Sequence, residues 1–349
     1  MSSLIPHEAY RAAYYAQHRA LLLQCLATHQ LLRKLSGFDM KPSGRAVRDV
    51  RRRFAALLRR DLENVEHGFY PRELLFQIPV SEYAKLLPRL VSDFPRTIRR
   101  AKRQDFKDLP DGVRLENYPA YYRRNFHWQT DGYLSRRSAE LYDVGVELLF
   151  LGTADVMRRQ IVPPIARELG RLGNSRARIL DVATGTGSAL RQLAAVFPEA
   201  RYYGLDLSPY YVDFARERLG QRQELTFLCE DAEAMPFRDG WFEIVTSVYL
   251  FHELPRRSRR RVLSEMFRVL KPGGLLVLED SAQPSEGGEV ELFLDRFADD
   301  FHEPFYRDYL KDDLAGVASE AGFQVESVEA CFVSKLLVAR KPATEVAPS

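Results

Sequence analysis

The chain has 349 residues, 46% hydrophobic and 28% charged, and its 51 basic and 48 acidic side chains leave a net charge of only +3. That composition excludes a disordered or fibrous protein, and the length suits two domains or one domain with a large extension. No stretch approaches the roughly 20 apolar residues of a membrane-spanning helix. The N-terminus also lacks the apolar core and small-residue cleavage site of a secretory signal. Three scattered cysteines, Cys25, Cys229 and Cys331, show neither pairing nor ligand spacing. A reducing, cytoplasmic setting is therefore expected, with no disulfide framework and no metal site.

The small net charge is the sum of two unlike parts. Residues 1–110 hold 21 basic and 11 acidic side chains, a net of +10, and the remainder holds 30 and 37, a net of −7. The first part reads as helices. Tyr10, Tyr14, Leu21, Cys25 and Leu32 form one apolar stripe, and Val47, Val50, Phe54, Leu57, Leu58, Leu62 and Val65 form a second at three- and four-residue steps. Pro6 and Ser43 stand near the two helix starts, and Ser81 is placed to cap a third helix that Pro88 would bend. Pro95, Pro110 and Pro119 then punctuate a basic, turn-rich passage. A boundary falls between Lys107 and Tyr118. This gives a basic helical domain over 1–110, an aromatic bridge with a covering helix over 111–175, a catalytic domain over 176–340 and a flexible tail over 341–349.

From Arg176 onward short apolar runs alternate with amphipathic stretches. Strands are predicted at Arg178–Val182, Arg201–Leu205, Leu225–Leu228, Phe242–Ser247 and Leu275–Glu279, with helices through Phe197, over Pro209–Leu219 and over Ser258–Val269. That alternation predicts an α/β fold, a parallel sheet with helices on both faces. Gln324–Cys331 and Phe332–Ala339 follow each other so closely that they must pair antiparallel, which makes the sheet mixed at its far edge.

The first strand runs into Asp181-Val182-Ala183-Thr184-Gly185-Thr186-Gly187. Glycines there let the backbone turn sharply and approach a ligand closely, and the next helix aims its N-terminus at the same place. Asp206, nineteen residues after Gly187, ends the second strand, where an acid can accept from a ribose diol. A dinucleotide fingerprint would carry a third glycine where Leu190 stands. Asp181 would also repel a pyrophosphate, whereas a carboxylate suits a ligand with an ammonium and a sulfonium.

These residues resemble the class I S-adenosylmethionine-dependent methyltransferases, whose first motif is D-x-x-x-G-x-G. Glu230 to Phe237 is similar to the third-strand segment of that family, Phe242 to Ser247 to its fourth strand, and Arg268 to Gly274 to its turn into the fifth. The resemblance covers residues 176–340 and implies a Rossmann-like seven-stranded sheet of order 3-2-1-4-5-7-6 with strand 7 antiparallel. It also implies S-adenosyl-L-methionine as cofactor. Asp181, Ala183, Thr184, Gly185 and Gly187 would surround the methionine part, and Asp206 the ribose. Leu207, Asp231 and Ala232 would meet the adenine, with Tyr249 toward the reactive methyl.

The acceptor is less legible. Ser247 to His252 stands where amino-methylating nucleic-acid enzymes of this fold carry an Asn/Asp-Pro-Pro-aromatic motif, and no cysteine is placed for cytosine chemistry. Phe251 to Pro255 resembles the small-molecule branch, including the quinone-biosynthesis C-methyltransferases. A small, partly apolar or aromatic acceptor is expected, with peripheral membrane contact if it is lipophilic. His252 is a candidate base, or a histidine bonded to the following turn. Tyr118 to Leu134, with His127, Gln129, Asp131 and Tyr133, reads as a lid that brings Tyr133 near the sulfonium, or as interdomain packing. A helix from Ala139 to near Ile165 would cover the cofactor. Phe293 to Phe297 and Phe301 to Tyr306 would add an aromatic wall, with His302 a second base or part of that wall. The competing reading is an RNA methyltransferase held to RNA by the basic half. Against it, Arg51, Arg52, Arg53, Arg59 and Arg60 straddle an apolar stripe and read more simply as a solvated helix face, so nucleic acid is not the expected partner. A non-catalytic scaffold is disfavoured by the intact motifs.

Overall fold

The computed structural model describes residues 7–36, 44–78, 80–127, 129–220, 222, 224–286 and 302–343. The expected helix starts at Pro6 and Ser43, the aromatic run Phe293–Phe297, Phe301 and most of the expected tail lie outside the described residues.

The two N-terminal stripes are helices α1 (His7–Ser36) and α2 (Gly44–Glu66). Helix α3 (Val80–Arg103) begins one residue before Ser81, which therefore lies in its first turn. It also runs through Pro95, where the sequence suggested a turn. Its C-terminal end is tied down by Arg100, buried and bonded to Asp108 Oδ2 at 3.1 Å and Thr130 Oγ1 at 2.8 Å. The covering stretch is α4 (Arg136–Leu149), α5 (Ala154–Arg158) and α6 (Val162–Leu172), interrupted at Leu151 and Gly152, both of positive φ.

The α/β part contains β1 (Arg178–Val182), α7 (Ser188–Val196), β2 (Arg201–Asp206), α8 (Pro209–Leu219), β3 (Leu225–Cys229) and β4 (Phe242–Val248). It continues with α9 (Arg256–Val269), β5 (Leu270–Ser281), α10 (Tyr306–Lys311), α11 (Leu314–Glu320), β6 (Gln324–Cys331) and β7 (Ser334–Arg340). The sheet order is β3-β2-β1-β4-β5-β7-β6, parallel from β3 to β5, with β7 antiparallel to both neighbours. This is the order the motifs implied.

Strand periodicity divides the core. Ile179, Leu275, Val277, Leu336 and Val338 point to one face, and Leu180, Leu276, Leu278, Leu337 and Ala339 to the other. The second face is closed by α9 and α11 through Val262, Leu263, Met266, Leu314 and Val317. The first is closed by α5, α6 and α7, and the same cluster takes in Tyr10 and Tyr14 of α1 and Leu57, Leu58 and Leu62 of α2. The basic helices are thus built into the core of the catalytic part. Arg53 reaches the carbonyls of Phe332 and Glu286 at 3.5 and 3.4 Å, and Arg60 pairs with Glu329 at 2.8 Å. Among the described residues no helix is long and apolar enough to cross a membrane.

Candidate active site

The sheet order reverses between β1 and β4, and in sheets of this kind ligands bind outside the C-terminal strand ends at that point. Two adjoining cavities open there. One is lined by Ala183, Gly185, Leu205, Asp206, Leu207, Glu230, Asp231 and Ala232, and roofed by Tyr121, Tyr122, Phe126 and Tyr133 from the aromatic bridge. The other has Leu90, Phe94, Leu141, Gly145, Val146, Leu149, Phe150 and Val333 as apolar lining and Asp93, Thr97, His127, Gln129, Thr130, Ser138, His252, Ser281 and Tyr306 as polar lining. Tyr142, Tyr249 and Glu253 line both.

The first cavity gathers most of the residues expected to hold the cofactor. Asp206 closes β2, and its carboxylate accepts from Gly185 N at 2.8 Å and Ser208 N at 2.9 Å. Burial nevertheless pushes its pKa up to about 6, because those two bonds only partly offset desolvation. Gly185 has φ +56°, and a Cβ on it would meet no atom within 4 Å, so the cleft beside the backbone is left clear for a ligand. Asp231 accepts from Glu233 N at 2.8 Å, an Asx-type turn that fixes the loop after β3.

Asp181, Thr184 and Gly187 stand behind the cleft rather than along it. Asp181 is 1% exposed and accepts from Thr184 Oγ1 at 2.7 Å, while its Oδ1 has no hydrogen-bond partner among the described residues. Burial, with the charge of Asp206 adding to it, raises its pKa to about 7 although the Thr184 bond pulls the other way. Gly187 serves packing instead. A Cβ there would come within 2.8 Å of Leu219 Cδ1 and 3.3 Å of Ala215 Cβ, so the glycine lets α8 lie against the loop. Helix α4 is fastened over the same loop by Asp143, which accepts from Thr186 and Ser188 hydroxyls, each at 2.9 Å.

The expected catalytic residues separate in the structure. His252 faces the apolar cavity, and its Nδ1 lies 2.7 Å from Asp280 Oδ1 at the end of β5. Burial would depress the imidazole pKa, but Asp280 more than compensates and holds it at about 8. Tyr249 lines both cavities with its ring, stacked on Phe150 at 5.6 Å. Its hydroxyl is turned to Met157 Sδ and Glu279 Oε1, each 3.4 Å away. His302 lines neither cavity. It stacks on Phe106 with ring centroids 5.1 Å apart.

Three acids that the sequence reading left without a role complete the site. Glu253 accepts from Tyr133 OH at 2.5 Å and lies 3.1 Å from His127 Nε2. Glu303 stands 2.6 Å from His127 Nδ1, and Asp280 orients His252. Burial alone would lower the His127 pKa, yet Glu303 and Glu253 on its two sides raise it to about 10. Asp280 had a local signal, an acid at the C-terminal end of an apolar strand. Glu253 and Glu303 had none, since their partners are more than a hundred residues away.

A seven-stranded sheet of this order, a glycine loop after β1 and an acid closing β2 together define a class I S-adenosylmethionine-dependent methyltransferase. A methyltransferase domain model matches residues 179–274. Demethylmenaquinone methyltransferases are among the relatives. That of Deinococcus radiodurans is 35% identical over 43% of this chain and 59% of its own length. That of Thermus thermophilus is 37% identical over 43% and 64%. The Thermotoga maritima protein is 32% identical over 57% of this chain and 89% of its own. The first two matches span less than two thirds of those relatives. The chain belongs to the class I S-adenosylmethionine-dependent methyltransferase family and is similar to its quinone methyltransferases.

Proposed function

We propose that this protein methylates a small, partly apolar or aromatic molecule held in the apolar cavity. The observation that carries the reading is the shared wall: Tyr142, Tyr249 and Glu253 border the cofactor cleft on one side and the apolar cavity on the other. Two ligands bound side by side there would meet at Tyr249.

The chain suits S-adenosylmethionine. Asp206 would hold the ribose hydroxyls, Asp231 and Ala232 the adenine edge, and Leu207 its face. The unpartnered Asp181 oxygen, behind the glycine loop, would become a buried negative charge when the cofactor's cations are bound. When bound, the cofactor supplies an electrophilic methyl group on a sulfonium, open to in-line displacement by a nucleophile. The protein's work is to place that nucleophile and keep water away. Tyr122, Phe126 and Tyr133 exclude water from above, and the Tyr133–Glu253 bond holds the roof down. His252, oriented by Asp280, is a polar group on the cavity wall that could take a hydroxyl proton from the acceptor.

Nothing favours the RNA reading. Arg53 and Arg60, offered as its electrostatic grip, dock on the catalytic part. The test is transfer of label from methyl-labelled S-adenosylmethionine to a panel of phenols, hydroquinones and enolisable ketones, followed by organic extraction. Label in the extract supports the reading. Cofactor binding with label found only in RNA or protein would overturn it.

A further inference from the structure

The polar end of the apolar cavity holds more than an acid–base pair. His127 comes from the aromatic bridge, His252 from the turn after β4, and Glu303 from the segment before α10. One ligating atom from each falls within 4.8 Å of the others. All three are half-buried or buried, and Glu303 is 2% exposed. Glu303 Oε1 is paired with His127 Nδ1 at 2.6 Å, and its other oxygen has no hydrogen-bond partner among the described residues. A buried carboxylate oxygen without a partner is costly, and a metal ion shared with the two histidines would complete it.

The surroundings of the two histidines point the same way. Metal-bound imidazoles nearly always give their second nitrogen to a carboxylate, a backbone carbonyl or water, and a carboxylate fixes the ring and strengthens the ligand. Here His252 Nδ1 is on Asp280 at 2.7 Å, which leaves Nε2 for the cavity. His127 Nε2 is on Glu253 at 3.1 Å, which leaves Nδ1 for Glu303's side. Two histidines and one carboxylate, each histidine backed by its own acid, form a set that suits zinc or ferrous iron with coordination positions left open.

We propose that His127, His252 and Glu303 bind one divalent transition-metal ion at the polar end of the acceptor cavity. Bonds of about 2.1 Å place ligand atoms roughly 3 to 3.5 Å apart, so on binding pairs as wide as 4.8 Å draw in by about 1.3 to 1.8 Å while the 2.6 Å His127–Glu303 pair opens slightly. The open positions face the cavity and take an acceptor that offers a phenolic, enolic or keto oxygen. In the metal-bound protein His252 is a ligand and not a base, and the ion acidifies the acceptor in its stead. The inference rests on the methyltransferase reading for the identity of the cavity.

The experiment is titration of the full-length, chelator-treated protein with Zn2+, and separately with Co2+ followed by its visible d–d absorption. The expected result is one equivalent per chain, with affinity falling at least a hundredfold in His127→Ala, His252→Ala and Glu303→Gln. His302→Ala, next to Glu303 and outside the cluster, should bind as wild type does. Circular dichroism and cofactor calorimetry on each variant separate loss of the site from loss of the fold. Less than a tenth of an equivalent bound by wild type, or equal binding by wild type and all three ligand variants, overturns the proposal. Metal binding without cofactor binding would instead defeat the methyltransferase reading and leave the metal site standing. Cofactor binding without metal would do the reverse.

Discussion

Arg159, just after α5, grips Asp61 of α2 through two hydrogen bonds of 3.0 and 2.6 Å, and both side chains are almost wholly buried. Asp61 also accepts from Tyr14 OH at 2.6 Å and Tyr70 OH at 2.5 Å. Burial would raise its carboxyl pKa, but Arg159 and the two tyrosines hold it below the ordinary value. One carboxylate thus fastens α1, α2 and the following turn to the catalytic part. Removing it leaves a buried guanidinium unpaired, so Asp61→Ala should cost about 3–5 kcal/mol in urea unfolding. Asp61→Leu combined with Arg159→Met should recover much of that loss. A variant as stable as wild type would show that the helices are held by apolar packing alone.

Asp206 should make cofactor affinity depend on pH. As a carboxylate it can accept from ribose hydroxyls; protonated, it loses that capacity. With its pKa lifted to about 6, the part of the affinity that Asp206 supplies should be complete above about pH 7 and fall as the pH drops through 6 toward 5, and this part should be missing from the pH profile of Asp206→Ala. Charge-assisted bonds of this kind are worth roughly 1.5–3 kcal/mol, so Asp206→Ala should weaken binding at least about tenfold. Calorimetry at pH 7.5 and 5.5 on both proteins checks this. An unchanged affinity in the variant would move the ribose elsewhere.

Much of the catalytic fold was legible because its signals are local. The strand and helix periods of 178–340, the turn glycines and Asp206 each declare themselves within a few residues, and the sheet order followed from the motifs. The proline rule failed at Pro95 because tertiary ties such as Arg100 to Asp108 and Thr130 outweigh one missing helix bond. The polar cluster was not legible. His127, Glu253 and Glu303 acquire meaning only when the bridge, the β4 turn and the segment before α10 meet in space, and none shows ligand spacing in the sequence. Gly187 looked like a ligand contact because a glycine that makes room for a helix and one that makes room for a cofactor are the same letter.

Asp181 offers a test that needs no acceptor. Free, its pKa is about 7, so near neutral pH it is partly protonated. A bound sulfonium and ammonium favour the carboxylate, which lowers that pKa and expels a proton. Calorimetry of cofactor binding at pH 7 should therefore give enthalpies that differ between phosphate and Tris, with roughly half a proton released per site. The difference should shrink toward zero at pH 8.5, where the proton has already left, and should be much smaller in Asp181→Asn. Equal enthalpies in both buffers at pH 7 would mean that Asp181 does not sense the cofactor's charge.

Gly145 lies inside α4, lines the apolar cavity proposed for the acceptor, and would place a Cβ within 4 Å of no atom outside its own helix turn. Helix propensity therefore favours replacement: Gly145→Ala should stabilise the fold by about 0.5–1 kcal/mol and leave cofactor binding unchanged. A larger side chain would project into the cavity proposed for the acceptor. Gly145→Phe should keep cofactor affinity within about twofold while transfer to two-ring acceptors falls at least tenfold, more than transfer to single-ring ones. The comparison uses the labelled-methyl assay on naphthols and phenols side by side. Equal losses for both, or a loss of cofactor affinity, would place the acceptor outside this cavity.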